Sequence, residues 1–217
     1  MTDHVRRIGA DLEPFPREAL AVDAPTAAVA LLGAVLRRRE LDGSWTLVRI
    51  VETEAYRQDD PASHSAAGLT GRTAPMFSQA GTAYVYRSYG IHWCLNVTAE
   101  APGIGAAALI RAAVALNGHE LLRRRRPAAR TDRELLRGPG RLCQALDVDA
   151  PRHDGRDLLD GDADLQLSTD GYRLDTEQVL TGPRTGVRLA ADVPWRFALA
   201  GVPEVSPYRR HPSALGR

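Results

Sequence analysis

Three places between residues 52 and 90, namely 52–56, His64 and 84–90, together supply two glutamates, one histidine and four tyrosines, although aromatic residues make up only 6% of the sequence. These residues are Glu52, Glu54, Tyr56, His64, Tyr84, Tyr86 and Tyr89. A carboxylate between flat aromatic faces can hold a planar base and direct a water molecule at the bond beside it. Two glutamates at i, i+2 can equally be an exposed strand end, and tyrosines are common on strands. The residue types alone therefore predict a cleft for a base or another flat ligand.

The elements expected to position these side chains are a long strand, a loop and a hairpin. Apolar alternation predicts a strand over 44–55. One face of that strand is predicted to carry Val48, Ile50, Glu52 and Glu54. Residues 57–80 have few periodic apolar positions and are predicted to form a long loop, and loops of that length are often functional. Strands over 84–86 and 91–97 are predicted to pair as a hairpin about Tyr89-Gly90.

The remainder of the chain predicts one α+β domain over 1–217 with mainly antiparallel strands. Residues 1–16 are expected to be a loose N-terminal lead-in. Helices are predicted over 26–36, after the cap Asp23-Ala24-Pro25, and over 132–137 and 141–146, which Gly138-Pro139-Gly140 separates. Asp42-Gly43 predicts a hairpin turn between a strand at 35–41 and the strand at 44–55. Residues 106–116 are expected to begin as a strand and turn helical, and further strands are expected at 184–190 and 195–200.

Composition limits the classes of protein that need to be considered. No apolar run approaches the ~18 residues of a membrane span, and the first twenty residues have no apolar core like that of a secretory signal. We therefore expect a soluble cytoplasmic protein, associated with the nucleoid if it is bacterial. The formal net charge is +1, but the charges are segregated, with a basic run at Arg123–Arg126 that alone indicates only a solvated face. The sequence contains no lysine, so no lysine side chain can form a Schiff base.

Cofactor and metal sites are not expected. Cys94 and Cys143 are the only cysteines and form no CxxC pair, and the histidines have no HxH or HExxH spacing. A lone loop histidine such as His64 is more often a hydrogen-bonding residue than a metal ligand. The segment 103–108 fits the loose GxGxxA dinucleotide pattern, but it follows a proline and has no suitable acidic residue ~20 positions later, so a turn between strands is the better interpretation.

Several ordered segments resemble the alkyladenine (3-methyladenine) DNA glycosylases of the mammalian type. The similarity covers most of the chain from residue 31 onward. The matching segments include Arg49-Ile50-Val51-Glu52-Thr53-Glu54-Ala55-Tyr56, His64-Ser65, Gly81-Thr82-Ala83-Tyr84-Val85-Tyr86, Tyr89-Gly90, Cys94-Leu95-Asn96-Val97, Leu109-Ile110-Arg111-Ala112, Gly138-Pro139-Gly140-Arg141-Leu142-Cys143-Gln144-Ala145-Leu146 and Pro194-Trp195-Arg196-Phe197. So many segments in one order are far more specific than any single motif.

The resemblance implies a fold, a reaction and a set of residue roles. The fold would have a curved sheet, flanking helices and a protruding β-hairpin, similar to the C-terminal domain of formyltransferases. The reaction would be that of a monofunctional enzyme, without metal or cofactor, which flips alkylated or deaminated purines out of double-stranded DNA and hydrolyses the N-glycosidic bond. Such substrates are 3-methyladenine, 7-methylguanine, hypoxanthine and ethenoadenine. The product would be an abasic site in base excision repair, and we expect the enzyme to act as a monomer.

The implied roles fall into three groups. Catalysis is assigned to Glu54 as the general base, with Arg111 and the carbonyl of Thr185 as further contacts of the attacking water. The base pocket is assigned to Tyr56, His64, Tyr86 and Asn96, of which Asn96 would disfavour guanine by crowding its exocyclic amine. DNA binding is assigned to the wedge Tyr89, to its neighbours Ile91 and His92, and to Arg72 and Arg141 as phosphate contacts.

Three departures from the family pattern concern the pocket and the DNA face. His64 is one residue closer to Tyr56 than in the mammalian proteins, and the connection from Asn96 to Arg111 is longer. Arg72-Thr73 stands where the family has Arg-Asn. The alternative function is a nucleic-acid-binding module that keeps the fold without catalysis. Retention of Glu54 and Arg111 argues against it, because a pure binder needs no water-activating pair.

Overall fold

The computed structural model describes residues 4–8 and 11–215. Within these residues nine strands form one antiparallel sheet. They are β1 (Glu13–Pro14), β2 (Val35–Arg39), β3 (Trp45–Arg57), β4 (Ala83–Ser88), β5 (His92–Thr98), β6 (Ala106–Ala115), β7 (Leu165–Thr169), β8 (Val179–Gly182) and β9 (Arg196–Leu199). The strand order is β1-β7-β2-β3-β6-β5-β4, and β9 joins by pairing with both β3 and β8.

Four α-helices accompany the sheet in the described part of the chain, which confirms the predicted α+β class. They are α1 (Ala24–Ala30), α2 (His119–Arg125), α3 (Pro139–Leu146) and α4 (Ala150–His153). Single 3₁₀ turns cover His4–Arg6, Arg17–Ala19, His64–Ala67, Ala74–Phe77, Asp132–Glu134 and Thr176–Gln178. Helix α1 packs on β3 and β6, and α3 packs on β5 and β6, so the apolar core lies between the sheet and these helices. No described helix has the length and apolar character that a bilayer crossing requires.

The long strand β3 is the element that carries the site. Its first half pairs with β2, and its second half pairs with β6 on one side and β9 on the other. The pairing with β6 shifts register twice, between Ile50 and Glu52 and again between Glu52 and Thr53. The predicted unbroken alternation from Val48 to Glu54 is therefore wrong at this point. Such bulges redirect side chains, and here Arg111 is the residue of β6 without an opposite partner.

The hairpin predicted about Tyr89-Gly90 is confirmed. Strands β4 and β5 pair from Ala83↔Val97 to Ser88↔His92, and the amide of Ile91 donates to the carbonyl of Ser88. Tyr89 and Gly90 both have positive φ, 49° and 69°. A turn with two left-handed central residues matches the twist of the flanking strands, and glycine adopts that conformation without strain. The predicted hairpin at Asp42-Gly43 also forms, between β2 and β3.

One predicted helix is shorter than expected and another does not form, because the sheet takes up their residues. The helix expected over 26–36 ends at Ala30, since the backbone of Val35 and Leu36 pairs with β3 on one side and β7 on the other. The segment 106–116 does not turn helical, although it is rich in alanine. It stays extended as β6 because it lies between β3 and β5. Tertiary pairing outweighs intrinsic helix propensity in both segments.

Three further elements differ from the sequence prediction. The strand expected at 184–190 does not form; the strand in this region is β8, and it ends before Pro183, which has no amide hydrogen to continue the ladder. Helix 132–137 is reduced to the single turn Asp132–Glu134. Gly138-Pro139-Gly140 does not separate helices but opens α3, with Gly138 as its N-cap. In the N-terminal segment 1–16, of which residues 1–3 and 9–10 lie outside the described part, Glu13–Pro14 pairs with β7.

Candidate active site

The carboxylate of Glu54 is fully buried and accepts three hydrogen bonds. Its Oε2 accepts from the Tyr56 hydroxyl at 2.9 Å and from Nη1 of Arg111 at 3.1 Å. Its Oε1 accepts from the backbone amide of Thr185 at 2.6 Å. An ionised carboxylate only accepts hydrogen bonds, and all three of these partners can donate. The structure thus holds Glu54 by groups from β3, β6 and the segment after β8.

A second buried carboxylate, Glu52, anchors the guanidinium beside Glu54. Its Oε1 accepts from Nε of Arg111 at 3.0 Å, from Nε of Arg196 at 2.7 Å and from the Ser206 hydroxyl at 2.8 Å. Its Oε2 accepts from the Ser206 amide at 2.6 Å. Burial disfavours the charged form of Arg111, but Glu54 and Glu52 outweigh burial and raise its pKa above the ordinary value. Arg111 is therefore a fixed cation that bridges two carboxylates.

A buried ion pair fixes Thr185 and Tyr56 in place. Arg184 is fully buried and pairs with both carboxylate oxygens of Asp60, which lies in the loop after β3. Its Nη1 also donates to the Ala55 carbonyl at 3.0 Å. The guanidinium lies 4.8 Å from the ring centroid of Tyr56, within cation–π distance. Because Thr185 follows Arg184 directly, this pair sets the amide that contacts Glu54.

Aromatic rings form one wall of the cleft next to these groups. The Tyr84 and Tyr86 rings stack with centroids 5.5 Å apart, as expected for two residues on one strand face. The His64 ring meets Tyr86 edge-on at 4.5 Å, and its Nδ1 is 3.0 Å from the Tyr84 hydroxyl. Burial, with the charge of Arg72, lowers the pKa of His64, so the imidazole is neutral at neutral pH. Burial also raises the pKa of Tyr86, which keeps its hydroxyl protonated.

The cleft has a volume of about 590 Å³ and brings most of the predicted site residues together. Those that line it are Tyr56, His64, Arg72, Tyr86, Tyr89, Asn96, Arg111 and Thr185. Glu54 lies directly behind this wall, since its three donors all belong to the lining. Asn96 is nearly buried, and its amide nitrogen donates to the Tyr84 carbonyl at 3.0 Å, which fixes the carboxamide. Burial raises the pKa of the Cys94 thiol in the same wall to about 11, so it offers no thiolate at neutral pH.

The hairpin tip stands at the mouth of this cleft. Tyr89 is 84% exposed and Ile91 is 67% exposed, so two large apolar side chains project into solvent. A bulky residue with positive φ is a strained choice at a turn, and strain of this kind concentrates at functional sites. His92 and Arg141 line a second, adjoining cleft, which shares Tyr89 with the first.

Sequence reasoning missed the groups that support the site. Glu52 was recognised as a carboxylate on the same strand but not as the anchor of Arg111, and Arg184, Asp60 and Arg196 were not identified. Asp60 and Arg184 are 124 positions apart, so no local spacing links them. Thr185 contacts Glu54, as its place in the predicted site suggests, but the contact uses its amide, whereas the resemblance implied a role for its carbonyl. Within the described residues, no group of three or more His, Cys, Asp or Glu side chains is arranged to hold a metal ion.

Comparison with known proteins gives one consistent result. The model of the methylpurine-DNA glycosylase family matches residues 18–203. A protein of Nocardia farcinica is 46% identical over 92% of this chain and 93% of its own length. Proteins of Mycobacterium sp. strain KMS (45% identical over 91% of this chain and 95% of its own length) and Streptomyces avermitilis (42%, 93% and 94%) are similar to it as well. All three are named as candidate 3-methyladenine DNA glycosylases. The chain therefore belongs to the methylpurine-DNA glycosylase family.

Proposed function

We propose that this protein is a monofunctional DNA glycosylase that flips damaged purines out of double-stranded DNA and hydrolyses their N-glycosidic bond. The observation that carries the proposal is the buried Glu54 carboxylate, held by Arg111, Tyr56 and Thr185 behind a cleft with aromatic walls. Family membership and the names of the similar proteins support the 3-methyladenine glycosylase activity. Hypoxanthine, 7-methylguanine and ethenoadenine are proposed as further substrates of the same cleft.

The aromatic wall supports recognition of an extruded purine. Stacking of a base on an aromatic side chain stabilises it by about 1–3 kcal/mol, and an alkylated purine that carries positive charge is also attracted to electron-rich ring faces. Tyr56 and Tyr86 are the rings offered for stacking, with the neutral His64 edge-on to Tyr86. A neutral imidazole does not repel a cationic base. Extrusion itself costs a few kcal/mol and is cheapest where damage already weakens pairing.

The carboxylate and its donors support the hydrolytic step. In the free protein the Glu54 carboxylate has no exposed surface. Water therefore contacts it only after one of the three groups that donate to it from the wall of the cleft moves away. We place the attacking water beside Arg111 and Thr185, where Glu54 can take its proton as general base. The same negative charge stabilises the positive charge that develops on the sugar as the glycosidic bond breaks. No lysine is present to form a Schiff base, which supports release of the base without strand cleavage.

The hairpin supports the flipping step. Tyr89 is largely exposed at a turn that projects next to the cleft, and Ile91 extends the same apolar tip. Apolar side chains inserted between base steps from the minor groove compensate for the broken stack. Tyr89→Ser is therefore expected to slow excision from a fully paired site more than from a destabilising mismatch. Equal activity of this variant and the wild type on both substrates would exclude a wedge role for Tyr89.

The decisive test is single-turnover cleavage of duplex oligonucleotides that contain hypoxanthine or ethenoadenine, together with methylated DNA that contains 3-methyladenine. The wild-type protein should release the free base and leave sites that break only on alkali treatment. Glu54→Gln keeps the size of the side chain and should lose this activity while it still binds DNA. If folded, DNA-bound wild-type protein released no base from any substrate, the chain would be a binding module that keeps the fold without the reaction.

A further inference from the structure

A second cleft of about 690 Å³ adjoins the base cleft on the same face of the hairpin, because its lining residues Ser88, His92 and Cys94 share that face with Tyr86. The two clefts share the wall formed by Ser88, Tyr89, Cys94 and Pro139. Four arginines line the second cleft: Arg126, Arg130, Arg137 and Arg141. Among the residues that the structure describes, Glu134 is the one carboxylate in its wall. The surface beside the hairpin is therefore strongly cationic although the whole chain is close to neutral.

The basic run at Arg123–Arg126 divides between ion pairs and this cleft. Arg123 pairs with Asp132 at 2.7 Å, and Arg125 pairs with Glu40 at 2.6 Å. The next residue, Arg126, instead donates to the amide oxygen of Gln144. An arginine that is paired with a carboxylate of the same protein stabilises the fold. An arginine without such a pair can bind an external anion. The run is thus not uniform in function.

No carboxylate in the described part of the chain pairs directly with the four cleft arginines, although the charge of Glu134 acts on Arg126, Arg130 and Arg141. Within residues 4–8 and 11–215, none of them lies within 4.0 Å of an acidic oxygen. Arg137 donates from Nε to the Val205 carbonyl, and Glu134 accepts from the backbone amide of Arg130. Burial and the like charge of Arg141 lower the pKa of Arg126, so two of these guanidinium groups repel each other in the free protein. An anion between them would remove that cost.

We propose that this arginine cleft binds the sugar–phosphate backbone of duplex DNA next to the hairpin tip, where it adjoins the base cleft. This inference rests on the proposed function and adds Arg126, Arg130 and Arg137 to the predicted phosphate contact Arg141. The planar guanidinium fork matches phosphate oxygens in a bidentate manner. The position also fits, because the cleft includes Tyr89 and a duplex opened at that residue continues past it. Helix α3 begins in the cleft wall at Pro139, and the positive end of its dipole adds to the attraction.

The test measures the salt dependence of DNA binding and does not depend on catalysis. Each phosphate contact adds about 0.9 to the slope of log K against log salt concentration. The double variant Arg126→Gln/Arg130→Gln should therefore lower the slope by about 1.8 on undamaged duplex. Between 50 and 200 mM salt the wild type should lose about tenfold more affinity than this variant. Arg123→Gln is the matched control, since this arginine is already paired with Asp132, and its slope should equal that of the wild type.

The outcomes separate this inference from the proposed function. A slope unchanged in the folded double variant overturns the inference, even if the wild type excises damaged bases. A slope reduced in the double variant and in Arg123→Gln alike also overturns it, because the effect would then be one of total charge. A slope reduced only in the double variant, from a protein that excises nothing, would retain the cleft as a DNA site and reject the proposed reaction. Thermal melts of all variants establish that each is folded.

Discussion

Glu52 and Glu54 lie two residues apart on β3, but their carboxylates have different roles. Three donors converge on its Oε1 and a fourth on its Oε2, and two of the four are guanidinium groups. In Glu52→Gln the side chain offers one acceptor oxygen and an NH₂ group. If the new oxygen replaces Oε1, the NH₂ group faces the Ser206 amide; if it replaces Oε2, the NH₂ group faces Arg111 and Arg196. In either orientation donors meet donors, and the charge of Glu52 is lost to both guanidinium groups, so that Glu54 is left to pair with Arg111 and Arg196 has no carboxylate partner among the described residues.

The size of the effect follows from burial. Removal of one partner of a buried ion pair costs about 3–5 kcal/mol, since it leaves an uncompensated buried charge. For a chain of this length that corresponds to a fall in Tm of about 6–20 °C. Total stabilities are about 5–15 kcal/mol, so the variant should still fold at low temperature. At such a temperature excision should also be slower, because Arg111 has lost the carboxylate that fixes its Nε.

Thermal and urea denaturation of Glu52→Gln measure the first effect, and single-turnover excision at 10 °C measures the second. Asp132→Asn is the control, because Asp132 pairs with Arg123 and both side chains are exposed. Solvent-exposed pairs contribute about 0–1 kcal/mol, so this control should lie near the wild type. A Glu52→Gln variant within 1 kcal/mol of the control would refute the charge-anchor role of Glu52.

Three further predictions concern the hairpin, the histidine and the tyrosine beside the carboxylate. In Gly140→Ala the added Cβ would lie 2.8 Å from Cβ of His92, so α3 must shift from the hairpin strand, and urea denaturation should report a loss of about 1–3 kcal/mol. Burial lowers the pKa of His64 below 6.5, so below that pH the unfolded chain binds the extra proton first and stability falls as the pH is lowered. Urea midpoints at pH 7.5 and 5.0 should therefore differ less in His64→Gln than in the wild type. Tyr56→Phe keeps the ring but removes the hydroxyl donor to Glu54; a hydrogen bond to a charged group contributes about 1.5–3 kcal/mol, so single-turnover excision should slow by about tenfold or more at unchanged substrate affinity.

Each of these three predictions has a comparison that tests its physical cause. Gly161→Ala adds a methyl group where no heavy atom lies within 4 Å, so it should leave stability unchanged; equal loss in both glycine variants would reject the clash. Identical pH dependence of the wild type and the His64 variant would show that this imidazole is not responsible. Tyr56→Ala should lose substrate affinity as well as rate. A Phe variant as deficient in affinity as the Ala variant would contradict separate duties for ring and hydroxyl.

The agreement between sequence and structure is best where the signal is local. The hairpin about Tyr89-Gly90 forms as predicted because turn chemistry and strand alternation both act over a few residues. The pairing of Tyr84 with Tyr86 on one face follows from the same period of two. Predictions failed where distant segments compete for the backbone. Residues 106–116 have helix-forming composition, yet two flanking strands hold them extended.

By itself the sequence determined the chemical groups of the site and the two strands that carry them. Glu54, Arg111 and the aromatic residues could be named from motif and resemblance, because a residue's type and its place in an ordered pattern are properties of the chain. Only the tertiary structure decided how Glu52 differs from Glu54, that Arg184 and Asp60 fix the segment with Thr185, and which member of the basic run turns toward the hairpin. Those distinctions depend on the partner that each charge finds across the fold, and a side chain's own neighbours in sequence do not specify that partner.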